Sequence, residues 1–239
     1  MPILDDAEVH LWRIPLRAEP GDVADLWSLL SVEEKAEAEK LPSAEQRAQF
    51  ATGRAAVRQI LAMYLERPPE EVHLRRSEHG KLCLVDAAGH EGVRFNVSHS
   101  RDLAVLAVAH GREIGVDIEA LRPVLQLERI VDRVLSPAEK AVFLAAGSDE
   151  RVDLFFRFWT QKKAYVKAIG CQSRIPLDRV EVDFRRDTPV ELRASLDLQI
   201  ARNRFTVCDF IPETEFRGAF AVGGRQLPKV RCWKWFGQM

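Results

Sequence analysis

The sequence predicts an α/β protein of the α+β kind, in which two similar halves each pack one main helix on a small, mostly antiparallel sheet. Two long helical patterns support this prediction, one from Ser43 to Pro68 and one from Asp153 to Ile169. Each is followed by a series of short apolar runs, which are typical of strands. We interpret the repetition as an internal duplication, with halves at residues 1–122 and 123–239.

Hydrophobic runs and turn residues mark the elements of the first half. A strand is predicted over residues 9–16 and a short charged helix over 30–40. Ser43, with Gln46 three residues on, forms a capping-box pattern that starts the main helix. Extended segments are then predicted at residues 72–74, 82–85, 95–97, 103–109 and 114–118. We expect the last three to be consecutive strands of one sheet, with polar residues in their loops.

The second half restarts the same order after Pro123. Helices are predicted at residues 125–135, 136–145 and 153–169, and strands at residues 179–184, 190–196, 205–210 and 219–222. The aromatic tail at residues 233–236 is expected to pack on the carboxy-terminal sheet.

Composition argues against several classes of partner. In 239 residues, 35 basic and 36 acidic side chains nearly cancel, so no global field attracts nucleic acid or a membrane surface. The chain begins without the basic and apolar blocks of a secretion signal, and no run approaches the roughly 18 apolar residues that span a bilayer. Its widely spaced cysteines indicate reduced thiols; they are Cys83, Cys171, Cys208 and Cys232. The sequence therefore predicts a cytoplasmic protein whose anion sites are local.

The acidic pair Asp117 and Glu119 is the sharpest chemical signal. Residues two apart in a strand share a face, so these carboxylates point together while Val116 and Ile118 point into the core. Two hard oxygen donors suit Mg²⁺, which is usually held by one or two carboxylates and the phosphates of its substrate. The alternative is a strand with an exposed polar face.

Ser98 and His99 follow a buried-looking strand, and we expect them on a loop. A hydroxyl and an imidazole can both donate to phosphate oxygens. A nucleophilic arrangement of Ser98 or Ser100 with His99 and Asp102 is disfavoured, because neighbouring residues rarely reach triad geometry and no Gly-x-Ser-x-Gly elbow is present.

Two basic stripes lie on the main helices, with basic residues four positions apart in each. Lys163 and Lys167 share one stripe of a largely apolar helix, where a cation needs an anionic partner. A bound diphosphate would serve, and so would a purely structural ion network with the acidic pair. Arg47, Arg54 and Arg58 form the stripe on the other helix, and its alternative is a solvated basic face.

Five segments in this order resemble the 4′-phosphopantetheinyl transferase superfamily, of the surfactin-synthetase-activating (Sfp) type. They are the Arg47-x-x-Phe50-x-x-Gly53-Arg54 helix, the Gly80-Lys81 turn, Phe95-Asn96-Val97-Ser98-His99-Ser100, Gly115-Val116-Asp117-Ile118-Glu119, and the helix from Trp159 to Lys167. Five motifs in the right order are far more specific than any one of them.

The resemblance implies a pseudo-twofold monomer with coenzyme A in the cleft between its halves. Family members transfer the phosphopantetheine arm of coenzyme A to a serine of an acyl or peptidyl carrier protein and release adenosine 3′,5′-bisphosphate. Carried over by motif, the residues fall into nucleotide-phosphate contacts, magnesium ligands and catalytic groups. The phosphate contacts are Arg47, Arg54, Lys81, Ser98 and His99, the ligands are Asp117 and Glu119, and the catalytic positions are Glu119, Lys163 and Lys167, of which Lys167 contacts the diphosphate.

This sequence departs from the family pattern at Lys163. The family helix reads Trp-x-x-Lys-Glu, and its Glu is a magnesium ligand and the favoured base for the carrier hydroxyl. An ammonium group cannot ligate magnesium. Three outcomes stay open: the metal is held by the remaining groups alone, Lys163 replaces part of its charge, or transfer is impaired. In the last case the protein would be a coenzyme A or carrier-protein binding module.

Carrier proteins of this type are acidic helical bundles, so apolar and basic surfaces are candidate docking sites. One lies at residues 125–135, with Arg129 and Arg133, and another is the loop at residues 170–177. The sequence does not indicate which carrier or pathway is served.

Overall fold

The structure is a computed structural model that describes residues 3–17, 20–85, 92–170, 175–182, 190–194 and 205–237. Within these ranges the chain forms six α-helices, two short 3₁₀ helices and eleven strands. The α-helices are α1 (Pro20–Ser28), α2 (Val32–Glu39), α3 (Ala44–Leu65), α4 (Leu127–Val134), α5 (Pro137–Ala145) and α6 (Arg151–Ala168), and the 3₁₀ helices are Pro69–Glu71 and Leu177–Arg179. The strands are β1 (Glu8–Pro15), β2 (Leu74–Arg76), β3 (Leu82–Leu84), β4 (Val93–Ser100), β5 (Leu103–His110), β6 (Ile114–Ala120), β7 (Val180–Val182), β8 (Val190–Ala194), β9 (Phe205–Phe210), β10 (Phe216–Gly223) and β11 (Lys229–Lys234).

The strands form two main sheets and a small hairpin. One sheet has the order β11-β1-β5-β4, the second has the order β6-β10-β9-β8-β7, and β2 pairs with β3. Neighbours are antiparallel except β1 and β11, which run parallel. The predicted mixed α/β class with mostly antiparallel sheets is confirmed.

The chain crosses between the two main sheets twice. After the β4-β5 pair of the first sheet, β6 pairs with β10 in the second sheet. After the β9-β10 pair, β11 returns to β1 in the first sheet. This reciprocal crossing agrees with an internal duplication, while the division at residues 122 and 123 stays a prediction.

Two expectations about sheet membership are wrong. The segments predicted as consecutive strands of one sheet separate, because β6 belongs to the second sheet. The aromatic tail packs on the amino-terminal sheet, where Trp233 stacks on Trp12 with ring centroids 5.1 Å apart. The N–H of Trp235 donates to the carbonyl of Arg13 at 2.8 Å. Both errors concern pairing between distant segments, which local hydrophobic patterns do not specify.

Helix starts follow the local signals well. Ser43 caps α3 by accepting from the N–H of Gln46, although the Gln46 side chain bonds to the Ser43 hydroxyl and does not complete the box. Ser136 and Glu139 form a complete capping box at α5. Helix α1 is absent from the sequence prediction, because its opening Pro20-Gly21 is typical of a turn.

The main helices cover different sheets. Helix α3 contributes to a core with the inner face of the first sheet, and α6 packs on β6 and β10 of the second. None of the described helices has the length and apolar character required to cross a bilayer. Cys83, Cys208 and Cys232 are free thiols, and Cys171 lies outside the described residues.

Candidate active site

Strands β4 and β6 are joined through side chains, although they belong to different sheets. Three alternate residues of β4, Asn96, Ser98 and Ser100, accept hydrogen bonds from alternate backbone N–H groups of β6 at 2.8, 3.4 and 3.1 Å. Residues two apart share a face of a strand, so all three side chains point at β6. The loop expected for Ser98 and His99 is wrong: both lie within β4.

Asp117 is the most enclosed acid of the site, with 6% of its side chain exposed. Its Oδ1 lies 2.6 Å from Lys167 Nζ and accepts from the Ser98 hydroxyl at 3.3 Å. Burial raises the pKa of Asp117, while Lys167 and, more weakly, Lys163 oppose the rise. The neighbouring Val116 and Ile118 are buried in the core, as the alternation predicts.

Lys167 occupies the centre of the cluster. Besides its ion pair with Asp117, its ammonium donates to Ser98 Oγ at 2.9 Å and to the carbonyl of Val116 at 3.0 Å. Three partners match the three N–H groups of an ammonium. The structural ion network considered from the sequence is therefore present for this lysine.

Gly115 brings α6 close enough for these contacts. It lies on the same face of β6 as Asp117, and a methyl group in its place would overlap the backbone of Ala164 and Ala168 in α6. The helix can rest directly on the strand only because this residue has no side chain. Gly115 thereby sets the distance between Lys167 and the acidic pair.

Glu119 is held by three donors. Its Oε2 accepts from the Ser100 hydroxyl at 3.2 Å and from Arg122 at 3.4 Å, and its Oε1 accepts from the indole N–H of Trp159 at 3.2 Å. With 21% of its side chain exposed, it is more accessible than Asp117. Ser100, Trp159 and Arg122 were not among the predicted site residues. The alternation of polar residues in β4 and the shared face of β6 are the signals that would have identified Ser100.

His99 points away from the β4–β6 contact and is exposed. Partial loss of hydration beside the protein lowers its pKa, and the positive charge of Lys167 adds to this, while Glu119 and Asp117 oppose it. The imidazole therefore lies within the electrostatic reach of the cluster.

Lys162 and Lys163 are neighbours on α6 with opposite environments. Lys162 is fully buried, and its ammonium lies 2.5 Å from Glu139 Oε2 and donates to the carbonyls of Val134 and Leu177. Lys163 is half-buried, and its ammonium lies 6.0 Å from the ring centroid of Trp159. Among the described residues, no carboxylate is within ion-pairing distance of Lys163.

Lys81 reaches the same strand from the Ser77–Lys81 turn. Its ammonium donates to the carbonyl of Ile114 at 3.1 Å and lies 3.4 Å from Glu113. Gly80, with φ of 79°, has the left-handed backbone that this turn requires. Lys81 therefore lies at the start of β6, the strand that carries the acidic pair.

Arg47 and Arg54 are placed against α2 and the turn after it. Arg54 and Arg58 are buried and both pair with Glu34, at 3.2 and 2.7 Å. Arg47 donates to the carbonyl of Leu41 at 2.7 Å. A solvated basic face is therefore wrong for the two buried arginines. No hydrogen bond or ion pair described links this stripe to the acidic pair, and its phosphate contacts stay a prediction.

The acidic pair fits a hard divalent cation. Asp117 Oδ2 is buried and, within the described part of the chain, has no hydrogen-bond partner. Buried carboxylate oxygens are normally paired, so this atom suits a cation ligand. Together with Glu119 it offers the one or two carboxylates with which proteins hold Mg²⁺. No group of three His, Cys, Asp or Glu able to hold a metal occurs in the ranges described, so further ligands would come from substrate and water.

A separate cavity shares no residue with this cluster. It lies between α1, α3 and the carboxy-terminal tail and is lined by Asp25, Leu26, Ser28, Leu29, Gln59, Phe236 and Gly237. This lining includes one carboxylate, Asp25, and no basic side chain. We therefore take the β4–β6–α6 junction, which combines two carboxylates with lysines, as the candidate active site.

Two family models match consecutive stretches of the chain. The 4′-phosphopantetheinyl transferase superfamily model matches residues 113–220, and the model of the 4′-phosphopantetheinyl transferase N-terminal region matches residues 17–111. Among solved structures, the Thermotoga maritima holo-[acyl-carrier-protein] synthase aligns at 21% identity with a TM-score of 0.40, over 48% of this chain and 64% of that one.

Curated relatives named 4′-phosphopantetheinyl transferases align with this chain over most of their length. The chain is 34% identical to the 4′-phosphopantetheinyl transferase HetI of Nostoc sp. over 224 residues, which cover 94% of this chain and 91% of that protein. It is 28% identical to the 4′-phosphopantetheinyl transferase Sfp of Bacillus subtilis over 165 residues, 69% of this chain and 71% of that one. The chain therefore belongs to the 4′-phosphopantetheinyl transferase superfamily and is a phosphopantetheinyl transferase enzyme.

Proposed function

We propose that this enzyme transfers the 4′-phosphopantetheine arm of coenzyme A to a serine of an apo acyl or peptidyl carrier protein, with Mg²⁺, and releases adenosine 3′,5′-bisphosphate. The observation that carries the proposal is the Lys167 ammonium shared between Ser98 and Asp117 at 2.9 and 2.6 Å. This contact places a cation that could bind a diphosphate next to a carboxylate that could bind a metal ion. Relatives named 4′-phosphopantetheinyl transferases support the same reaction.

In this reaction the serine oxygen of the carrier bonds to the β-phosphorus of coenzyme A. The bond between that phosphorus and the oxygen bridging to the α-phosphorus breaks, and negative charge develops on the departing bisphosphate. Lys167 stabilises this charge, and positioned cations supply much of the rate in phosphoryl transfer. When bound, Mg²⁺ would add Lewis-acid stabilisation of the diphosphate, with Asp117 and Glu119 as its protein ligands.

The serine proton must leave as the new bond forms. Glu119 is the more exposed of the two carboxylates, so an approaching hydroxyl can reach it before it reaches Asp117. We assign Glu119 as the acceptor of this proton, held in place by Trp159 and Ser100. Arg47, Arg54, Lys81 and His99 complete the proposal as contacts of the nucleotide phosphates.

The test is to incubate the enzyme with coenzyme A, Mg²⁺ and several apo carrier proteins, and to measure carrier mass. We expect the mass of the phosphopantetheine adduct on one serine. Asp117→Asn should abolish the adduct, and Lys234→Met, on the opposite edge of the first sheet, should not. Unmodified carriers in every reaction would refute the proposal.

The presence of Lys163 favours a second candidate function, that of a coenzyme A or carrier-protein binding module with impaired transfer. An ammonium group beside the acidic pair cannot ligate a metal, which is why this alternative arises. Binding of coenzyme A without any adduct would support it. A Lys163→Glu variant that gains transfer would show that the native lysine is the cause. The monomeric state and cytoplasmic location stay predictions from the sequence.

A further inference from the structure

Both carboxylates of the site already have cationic partners within the protein. Asp117 Oδ1 lies 2.6 Å from Lys167, and Glu119 Oε2 lies 3.4 Å from Arg122. Glu119 also accepts from Trp159 and Ser100, so both of its oxygens are used. Only Asp117 Oδ2 has no donor among the described residues. A divalent cation would therefore compete with protein donors for every other carboxylate oxygen of the pair.

Lys163 adds a positive charge that forms no ion pair with a carboxylate in the part of the chain that the structure describes. Its ammonium lies 6.0 Å from the ring centroid of Trp159, whose indole N–H donates to Glu119, and its charge opposes the rise in the pKa of Asp117. Lys167 follows one helical turn later, and like charges at this spacing repel. An anion bound between the two ammonium groups would relieve that repulsion and supply the missing partner.

Charge therefore favours an anion over a divalent cation at this junction. Three cationic groups, Lys163, Lys167 and Arg122, face two carboxylates, and His99 adds a neutral donor or a further positive charge. A dianionic group gains from this excess, and the same excess weakens the affinity of the carboxylate pair for a divalent cation.

We infer that Lys163, one helical turn before Lys167, also binds the diphosphate of coenzyme A directly, so that the diphosphate binds without a divalent cation. This inference rests on the proposed function, because it concerns the same site. Under it, Lys163 is a binding residue that supplies part of the charge a metal ion would bring. A divalent cation then contributes more to the transfer step than to affinity.

The test is calorimetric titration of coenzyme A into the wild type, Lys163→Met and Lys234→Met, each with EDTA and with Mg²⁺. The wild type should bind in EDTA within about threefold of its affinity in Mg²⁺. Lys163→Met should bind about tenfold more weakly in EDTA, the effect of one charge-assisted hydrogen bond. Lys234→Met removes the same charge from exposed β11 and should bind like the wild type.

A second readout measures the metal alone. Titration with Mn²⁺ followed by electron paramagnetic resonance should give about tenfold tighter binding to Lys163→Glu than to the wild type. Wild-type binding of coenzyme A that vanishes in EDTA, or an unchanged affinity in Lys163→Met, would overturn the inference alone. Failure to bind coenzyme A with and without Mg²⁺ would refute the proposed function itself.

Discussion

The two main helices carry basic residues at the same spacing but use them differently. In α3, Arg54 and Arg58 are buried and both form ion pairs with Glu34. In α6, Lys167 divides its bonds between a carboxylate, a hydroxyl and a carbonyl, and Lys163 has no carboxylate partner in the described structure. The two arginines of α3 share one carboxylate, whereas in α6 Lys163 remains available to bind an anion.

This difference teaches that spacing alone does not show whether a basic side chain is paired within the protein. Burial and the supply of counter-charges decide it, because a buried charge must be compensated within the protein. Lys162 and Lys163, neighbours on α6, show the same dependence on burial and counter-charge. Lys162 is fully buried and joins α6 to the ends of α4 and α5, while its neighbour faces the acidic pair.

The largest expected effect is the loss of stability in Lys162→Met. Removing the ammonium leaves the buried Glu139 carboxylate without its lysine partner, and such changes typically cost about 3–5 kcal/mol in the free energy of unfolding. Urea denaturation measures it. Adding Glu139→Gln should restore part of the stability, because this pair then carries no charge and the amide oxygen can still accept from the Ser136 N–H. A Lys162→Met protein as stable as the wild type would break the contrast between the two lysines.

Lys167→Met tests the other side of the comparison. We expect the single-turnover rate of carrier modification to fall about 10²–10³-fold, since the variant lacks the cation that stabilises the departing bisphosphate. Rapid-quench measurements at saturating coenzyme A give this rate. Near-ultraviolet circular dichroism checks that the variant is folded. A rate within about twofold of the wild type would remove Lys167 from the reaction.

Trp159→Phe sharpens the comparison within α6. It keeps an aromatic ring but removes the indole N–H that donates to Glu119. One lost hydrogen bond is worth about 1 kcal/mol, so the transfer rate should fall about fivefold to tenfold. Trp233→Phe, which alters the stacked pair on the first sheet, is the matched control and should leave the rate unchanged. Equal losses in both variants would mean a general packing effect.

The smallest expected effect concerns carrier docking. Arg129 and Arg133 are exposed on α4, beside Leu125, which is 90% exposed. Replacing both arginines by Glu should raise the KM for an acidic carrier about threefold to tenfold and reduce its salt dependence. Coenzyme A affinity should not change. An equal loss of coenzyme A affinity would refute this placement. The second candidate docking surface is the loop at residues 170–177, of which residues 171–174 lie outside the described residues.

The sequence predicted most local elements and the face of β6 on which the acidic pair lies. Ser43 and Ser136 start the helices that their capping patterns predict, and Asp117 shares the face of β6 that the alternation indicates. These features depend on neighbours a few residues away. The segments expected at residues 183–184 and 195–196 lie outside the described residues.

Sheet membership and side-chain partners could not be predicted. The parallel pairing of β1 with β11 joins segments more than 200 residues apart, and no local pattern records it. Ser98 and His99 were expected in a loop because two polar residues follow the apolar run there, and polar side chains in a strand usually face water. Here, Ser98 and its alternate neighbours replace a backbone ladder between two sheets. Only the assembled fold reveals that Arg54 pairs with Glu34.

Phosphorus-31 NMR of coenzyme A tests most directly whether Lys163 and Lys167 of α6 bind the diphosphate. With the wild type, we expect the diphosphate resonances to shift and broaden, and with Lys167→Met we expect the effect on these resonances to be much smaller. The 3′-phosphate resonance should respond to both proteins. Diphosphate resonances that respond equally to Lys167→Met, or not at all to the wild type, would contradict the account.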